Sequence, residues 1–257
     1  SADYTLIPEL MEDYTSWYAT FAKNSIVLAY TEKSRHNSDI SGDNWPEILS
    51  SGDVRLGFSN PNADPCGYRA LMCIKLTEIY HNRTGLFSTI ITKHSAIEEW
   101  GEDGTYYIGA PQDLGPDSTL IIRPKETDLM ALLETGDLDY ALIYRSLAQS
   151  HASSGVRYIR LWGDVDLSNS SLDGKYGVVH LVQGYGTENE HIVEATPIVY
   201  GITIPKCSQN RARAVEFVAL LLGNEGRDIM DGAGFSIPEK YISINVDKVD
   251  EALRVYL

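Results

Sequence analysis

The segment 54-VRLGFSNPNADPCGYRALMCIKL-76 decides the fold, because a strand, a loop and a helix follow one another within it. Residues 54–58 are typical of a short strand, and the loop after them ends at Asp64. Asp at the N-cap, followed by Pro65 at the first helical position, is a strong signal for the start of a helix. The predicted helix carries one apolar face, which consists of Met72, Cys73, Leu76, Ile79 and Tyr80.

The same alternation extends in both directions along the chain. Apolar runs predict further strands at 25–30, 119–123, 139–144, 156–162, 176–182 and 197–205. Periodic patterns and caps predict further helices at 9–23, just after residue 47, at 128–136 with Gly136 as C-cap, after Ser208 and near 224–231. Strands that alternate with helices indicate an α/β fold with mostly parallel strands.

Composition narrows the classes of partner. The chain has 257 residues, 43% of them hydrophobic, and a formal net charge of -15. A field of that sign repels nucleic acid, although local backbone dipoles can still attract a small anion. No apolar run is long enough to cross a bilayer, and the opening SADYTLIPEL has no signal-peptide pattern, so a signal peptide, if there is one, lies upstream.

Motifs for catalysis, metal binding or cofactor binding are not found in the sequence. The six histidines show no HExxH spacing, and neither GxSxG nor GxxxxGK[ST] occurs. The cysteines Cys66, Cys73 and Cys207 have no zinc-site spacing, and we interpret them as small buried hydrophobic residues. We therefore expect no cofactor, and we expect that the protein is not an enzyme.

Two helix starts follow strands, at 64-DPCGY-68 and at 126-ETDL-129. A helix N-terminus presents unpaired N–H groups with partial positive charge, and in an α/β sheet it lies at the edge where ligands bind. At the first start the amides of Cys66 and Gly67 are the candidate donors. From the pattern alone Asp64 is more readily a simple helix cap than a ligand. Arg69, which follows the helix start, could help to bind an anion, but an exposed or paired arginine is the preferred interpretation.

Four segments resemble the archaeal tungstate/molybdate-binding proteins, which are the solute receptors of ABC transporters. These segments are 25-SIVLAYTEKS-34, 57-GFSNPNADPCGYRALM-72, 123-RPKETDLMALLETGDLDYALIYRS-146 and 197-PIVYGITIP-205, and their order and approximate spacing also match. The resemblance covers residues 1 to about 231. It implies a type II periplasmic-binding-protein fold, in which two α/β lobes joined by crossing strands close on the ligand.

The resemblance also assigns lobes to ranges of this chain. Lobe I is expected at 1–27 and 197–257, and lobe II at 28–196, with 25–30 as the first crossing strand. Family members carry an opening strand and helix of lobe I before the position of Ser1. We therefore expect lobe I of this sequence to be incomplete at its N-terminus. The alternative function follows from this: the chain is a truncated relative that binds no ligand and acts as an interaction module.

Five positions match the oxoanion site of the family. Asp64 and Glu126 resemble the two carboxylates that approach the metal of the oxoanion. Pro65 and Cys66 follow the first carboxylate, and the Cys66 amide is expected to donate to an oxygen. Tyr144 resembles the tyrosine whose hydroxyl meets another oxygen.

The resemblance implies the chemistry and the partners of this site. W(VI) and Mo(VI) are hard centres that can expand from four oxygens to six, so carboxylates bind the metal. Sulfate and phosphate cannot expand, so the same carboxylates repel them. The expected partners are tungstate or molybdate and the permease of an ABC transporter. The expected location is extracellular or at the cell surface, as a monomer, with any anchor upstream of Ser1.

Overall fold

The structure is a computed structural model that describes residues 6–11 and 13–257. The chain divides into two compact units, which we call the terminal unit (residues 1–24 and 198–257) and the central unit (residues 25–197). Residues 1–5 of the predicted lobe I, and Glu12 of the helix predicted at 9–23, lie outside the described residues.

Strands and helices alternate through the described residues. The strands are β1 (Tyr18–Lys23), β2 (Ile26–Tyr30), β3 (Leu56–Ser59), β4 (Glu98–Glu102), β5 (Thr105–Ala110), β6 (Leu120–Arg123), β7 (Tyr140–Tyr144), β8 (Arg157–Arg160), β9 (Val179–Gln183), β10 (His191–Glu194), β11 (Val199–Ile202) and β12 (Ile242–Ile244). The α-helices are α1 (Leu6–Glu9), α2 (Trp45–Leu49), α3 (Pro65–Tyr80), α4 (Leu86–Ile90), α5 (Met130–Thr135), α6 (Arg145–Ser150), α7 (Asp173–Tyr176), α8 (Arg211–Leu222) and α9 (Asn224–Gly232).

The main sheet of the central unit has the strand order β6-β3-β7-β2-β8. β3 lies parallel to both of its neighbours, with Ser59 opposite Arg123 of β6 and Gly57 opposite Ala141 of β7. The carboxyl ends of β6, β3 and β7 therefore lie at one edge of the sheet. The loops that leave this edge carry the candidate site.

Helix α3 packs between the two sheets of the central unit. It contacts β3 and β7 of the main sheet, and it contacts β9 of the second sheet, which has the order β10-β9-β5-β4. Its residues from Arg69 to Thr77 are all buried. The sequence predicts one apolar face, but the helix is covered on most sides because a sheet lies against each of two faces.

The terminal unit is built on an antiparallel sheet with the order β11-β1-β12. The helices α8 and α9 belong to the same unit. A separate hydrophobic core fills it, with the buried members Trp17, Ala19, Ile204, Val218, Leu222, Tyr241, Val249 and Leu253.

Two expectations about these elements are wrong. Among the described strand pairings, β3–β6, β3–β7 and β5–β9 are parallel and the others are antiparallel, so the sheets are mixed and not mostly parallel. The unbroken apolar run of β2 indicates burial on both faces, but it carries no information about direction. The helix predicted at 9–23 is replaced by the short α1 and by β1, whose residues pair with β11 and β12.

The helix caps and strands predicted near the site are confirmed. Helix α3 begins at Pro65 with Asp64 as its N-cap, and strands form within 119–123 and 139–144. Helix α5 ends at Gly136, whose φ of 85° is in the left-handed region that glycine adopts readily. Within the described residues no helix has both the length and the apolar character needed to cross a membrane.

Candidate functional site

The five predicted site residues lie at the carboxyl ends of three neighbouring strands. Asp64, Pro65 and Cys66 follow β3 and open α3, Glu126 follows β6, and Tyr144 is the last residue of β7. Hydrogen bonds join these three strand ends in one network. The structure thus brings together residues that are as much as 80 positions apart in sequence, from Asp64 to Tyr144.

Asp64 is the hydrogen-bond acceptor that links two of the loops. Its Oδ1 accepts from the amide of Cys66 at 3.1 Å, which is the N-cap interaction of α3. Its Oδ2 accepts from the amide of Glu126 at 2.9 Å. The carboxylate therefore caps its own helix and also fixes the start of the 3₁₀ helix Glu126–Leu129. Cap and site residue are not exclusive roles here.

Glu126 is held between Asp64 and Tyr144. Its Oε2 accepts from the Tyr144 amide at 3.0 Å. The pKa of this carboxyl is raised to about 7, mainly by burial and to a smaller extent by the charge of Asp64, while the hydrogen bonds from the Tyr144 amide and the Cys66 thiol act in the opposite direction. The Glu126 carboxyl is therefore partly protonated near neutral pH.

Cys66 and Pro65 complete the first turn of α3. The Cys66 side chain is fully buried, and its Sγ lies 3.9 Å from the carbonyl oxygen of Leu142. Burial raises the pKa of the thiol well above its usual value, and the nearby charge of Glu126 adds to this. The thiol is therefore protonated and a poor nucleophile. Pro65 is exposed at the helix start and has no amide hydrogen to donate to an anion.

Gly67 allows the start of α3 to approach the end of β3. A Cβ atom at this position would lie 2.0 Å from the carbonyl oxygen of Ser59, which is too close for any side chain. This close contact sets the position of the Asp64 carboxylate relative to the sheet edge. A glycine is required here by space rather than by a turn.

Arg69 is a further residue of this site, for which the sequence pattern alone favours a structural role. The residue is buried, and its Nη1 donates to the hydroxyl of Tyr144. The expectation of an exposed or paired arginine covers the pairing but not the partner. The sequence signal that indicates a site position for Arg69 is its spacing from Cys66, because residues three apart share one face of a helix.

The chemical character of the site is that of oxygen donors beside a buried cation. Asp64 and Glu126 supply carboxyl oxygens, Tyr144 supplies a phenol, and Arg69 supplies positive charge. Among the residues that the structure describes, no three His, Cys, Asp or Glu side chains are arranged to hold a metal ion. Two carboxyls suit an electron-poor centre that arrives with its own oxygens.

Comparison with known proteins gives the family. The model of a family described as bacterial extracellular solute-binding protein matches residues 1–236. The chain belongs to this family. As a member of this extracellular solute-binding family, it is also similar to individual proteins from several archaea.

Two curated relatives illustrate the similarity. An uncharacterized solute-binding protein of Methanoculleus marisnigri is 40% identical over 235 residues, which are 91% of this chain and 65% of that protein. The molybdate/tungstate-binding protein WtpA of Thermococcus kodakarensis is 42% identical over 233 residues, or 89% of this chain and 63% of that protein. The resemblance to the archaeal tungstate/molybdate-binding proteins is confirmed. The chain spans less than two thirds of the length of either relative.

A solved structure supports the fold. The structure of a substrate-binding domain from Clostridium difficile superposes with a TM-score of 0.53 at 16% identity, covering 93% of this chain and 76% of that one. At this identity the similarity concerns the fold alone. The predicted α/β class and periplasmic-binding-protein fold are confirmed.

Proposed function

We propose that this chain is part of an extracytoplasmic solute-binding protein that captures tungstate or molybdate for an ABC transporter. The observation that carries the proposal is the pair of carboxyls, Asp64 and Glu126, joined through the Glu126 amide at adjacent strand ends. Two relatives that are 42% identical to this chain are named for molybdate and tungstate binding. The family description, extracellular solute-binding protein, supports the location.

Two carboxyls beside a dianion require an explanation, because like charges a few Å apart repel by about 4 kcal/mol at moderate dielectric. In the proposed complex Asp64 and Glu126 approach the metal centre and not the oxygens. A hard, highly charged centre prefers oxygen donors. It also lowers the pKa of a nearby carboxyl, so Glu126 gives up its proton when the centre arrives.

The other groups of the site face the oxygens of the ligand. In the proposed complex the hydroxyl of Tyr144 donates to one oxygen, and the Cys66 amide is shared between the Asp64 carboxylate and another oxygen of the ligand. Sulfate and phosphate have central atoms that do not accept further oxygen donors. For these anions no bond between a carboxylate and the central atom offsets the repulsion from Asp64 and Glu126, so the site selects against sulfate and phosphate.

We assign the terminal unit to lobe I and the central unit to lobe II of the family fold. In the proposed function the site binds its ligand without transforming it, and the buried Cys66 thiol, which is protonated, is a poor nucleophile. The further partner is the transporter permease, and the proposed state is a monomer.

The proposal is tested by calorimetric titration of the folded chain with tungstate, molybdate and sulfate in turn. Saturable heat is expected with tungstate or molybdate and not with sulfate. Equal binding of all three anions would contradict the role of the carboxyls. A folded chain that responds to none of them would instead support the non-binding interaction module.

A further inference from the structure

Arg69 makes a specific contact with the site tyrosine. The residue is 5% exposed, and its Nη1 donates to the hydroxyl of Tyr144. Its guanidinium carbon lies 5.9 Å from the centre of the Tyr144 ring and 5.5 Å from that of Tyr68. A buried guanidinium that meets one phenol at its hydroxyl is held in a defined orientation.

The direction of this hydrogen bond determines the direction of the phenol hydrogen. A guanidinium has donors and no acceptor, so the Tyr144 oxygen accepts from Arg69. The single O–H hydrogen of Tyr144 therefore points away from the guanidinium. Because hydrogen bonds in a chain polarise one another, accepting from a cation makes the hydroxyl a stronger donor.

The backbone of the same tyrosine is fixed by the carboxyl network. The amide of Tyr144 donates to Glu126, and the amide of Glu126 donates to Asp64. Tyr144 is thus held at its backbone by the acidic side of the site and at its hydroxyl by a buried cation. Arg69 and Cys66 share one face of α3. The helix face that carries the Cys66 amide, the proposed donor to the oxoanion, therefore also carries the guanidinium.

We propose that Arg69 is a positioning residue, which orients the Tyr144 hydroxyl as a hydrogen-bond donor to an unprotonated oxygen of the bound oxoanion. This inference rests on the proposed function, since it names a further determinant of the same site. It assigns Arg69 an effect on affinity that passes through Tyr144. The guanidinium itself does not need to touch the ligand.

A double-mutant cycle tests whether Arg69 acts through Tyr144. Tungstate affinity is measured by calorimetry for the parent, Arg69→Gln, Tyr144→Phe and the double variant. Each single variant is expected to bind at least about tenfold more weakly, as for loss of a charge-assisted hydrogen bond. The double variant is expected to match the weaker single variant. Unchanged affinity of Arg69→Gln, or losses that multiply in the double variant, would overturn the inference.

Two further variants control for charge and chemistry. Arg83→Gln removes the same charge from a half-buried arginine that pairs with Glu47, outside the site, and is expected to leave the affinity unchanged. Arg69→Lys restores a donor without the planar fork and is expected to recover part of the loss. A lysine variant no better than Arg69→Gln, or an Arg83→Gln loss as large, would count against the specific role of Arg69.

A measurement without ligand separates this inference from the proposed function. The protein is labelled with ¹³Cζ-tyrosine, and the Tyr144 resonance is identified by its absence in Tyr144→Phe. We expect this resonance to shift in Arg69→Gln and to stay in place in Arg83→Gln. An unchanged resonance would overturn the inference even if tungstate binds. A parent that binds no tungstate would overturn the proposed function and leave this spectrum to decide the role of Arg69.

Folding of the variants is checked by circular dichroism before either measurement. Should Arg69→Gln fail to fold, Arg69→Lys replaces it in both experiments, with the same expected directions. An Arg69→Lys variant that binds tungstate as the parent does and shows an unshifted Tyr144 resonance would then overturn the inference.

Discussion

At the scale of single residues, the site shows that one carboxylate can cap a helix and also join two loops. Asp64 accepts from the amides of Cys66 and Glu126, so its orientation is set before any ligand arrives. A preorganised carboxylate avoids the reorganisation cost of binding. Its acceptor capacity is not exhausted by two hydrogen bonds, because a carboxylate has about four lone-pair sites.

Removing either carboxyl tests the assignment of the metal-facing groups. We expect Asp64→Ala and Glu126→Ala each to weaken tungstate binding by about tenfold or more, as for a lost charged interaction. Both variants should also bind sulfate better than the parent, because the repulsion falls. Competition titrations with tungstate and sulfate measure both effects. Glu102→Ala, an exposed acidic residue on β4, is the control, and site variants that behave like it would refute the assignment.

Glu126 predicts a specific dependence of stability on pH. Its pKa is raised from 4.5 to about 7 in the folded chain, so the folded state holds this proton more tightly than the unfolded state. Its contribution is fully present below pH 4.5 and is lost as the pH rises through 7, which lowers the free energy of unfolding by about 3 kcal/mol.

Glu126→Gln, which cannot ionise, isolates this contribution. The fall in melting temperature of the ligand-free protein between pH 5 and pH 8 should be smaller for Glu126→Gln than for the parent. Glu102→Gln should follow the parent. Superimposable pH profiles for the parent and Glu126→Gln would show that burial does not raise this pKa.

At the scale of elements, α3 is positioned by its first turn. The helix start is packed so closely on the end of β3 that Gly67 has no room for a methyl group. Such overpacking against backbone cannot be relieved by a rotamer change. The Asp64 carboxylate and the Cys66 amide depend on this approach, because both belong to the same turn.

Gly67→Ala is therefore expected to destabilise the protein by about 3 kcal/mol or more, because the helix start must move from the strand. Chemical denaturation measures the change in the free energy of unfolding. Gly174→Ala in α7 is the matched control, since a Cβ atom at that position meets nothing within 4 Å. If the two variants are equally stable, the close approach of α3 to β3 does not exist in solution.

The elements also show where local sequence patterns are sufficient to predict the structure. The N-cap of α3 and the Gly136 C-cap of α5 are local features, and both predictions are confirmed. The hairpin of β4 and β5 is not among the elements predicted from the sequence. In the structure, Asp103 and Gly104 between the two strands have φ of 50° and 82°. These values fit a tight hairpin turn, which Asp-Gly favours. The half-exposed, Glu-rich β4 hides the hairpin, because it has no apolar run.

At the scale of the whole molecule, the chain leaves the terminal unit once and returns to it once. All strand pairings of the two central sheets join residues within 25–197. All five predicted site residues and Arg69 belong to that range as well. A unit with its own sheets and its own core meets the usual criteria of a domain.

We therefore expect the segment 25–197, expressed alone, to fold. It should show a single cooperative thermal transition and dispersed amide signals in an NMR spectrum. The full chain measured in parallel is the control. A segment that binds hydrophobic dyes and melts without a transition would show that the central unit depends on the terminal residues.

The sequence by itself determined the local features, because caps, turns and apolar runs act over a few residues. It therefore predicts the start of α3, the strands around the site and, through its resemblance, the five site residues. Tertiary structure alone decided the strand directions and replaced the helix predicted at 9–23 by β1, since pairing partners for β1 lie about 180 and 220 residues away. It also decided that Arg69 meets Tyr144, because their contact joins a helix to a strand end 75 residues later. Contacts at such separations depend on how the whole sheet assembles, and no local pattern records them.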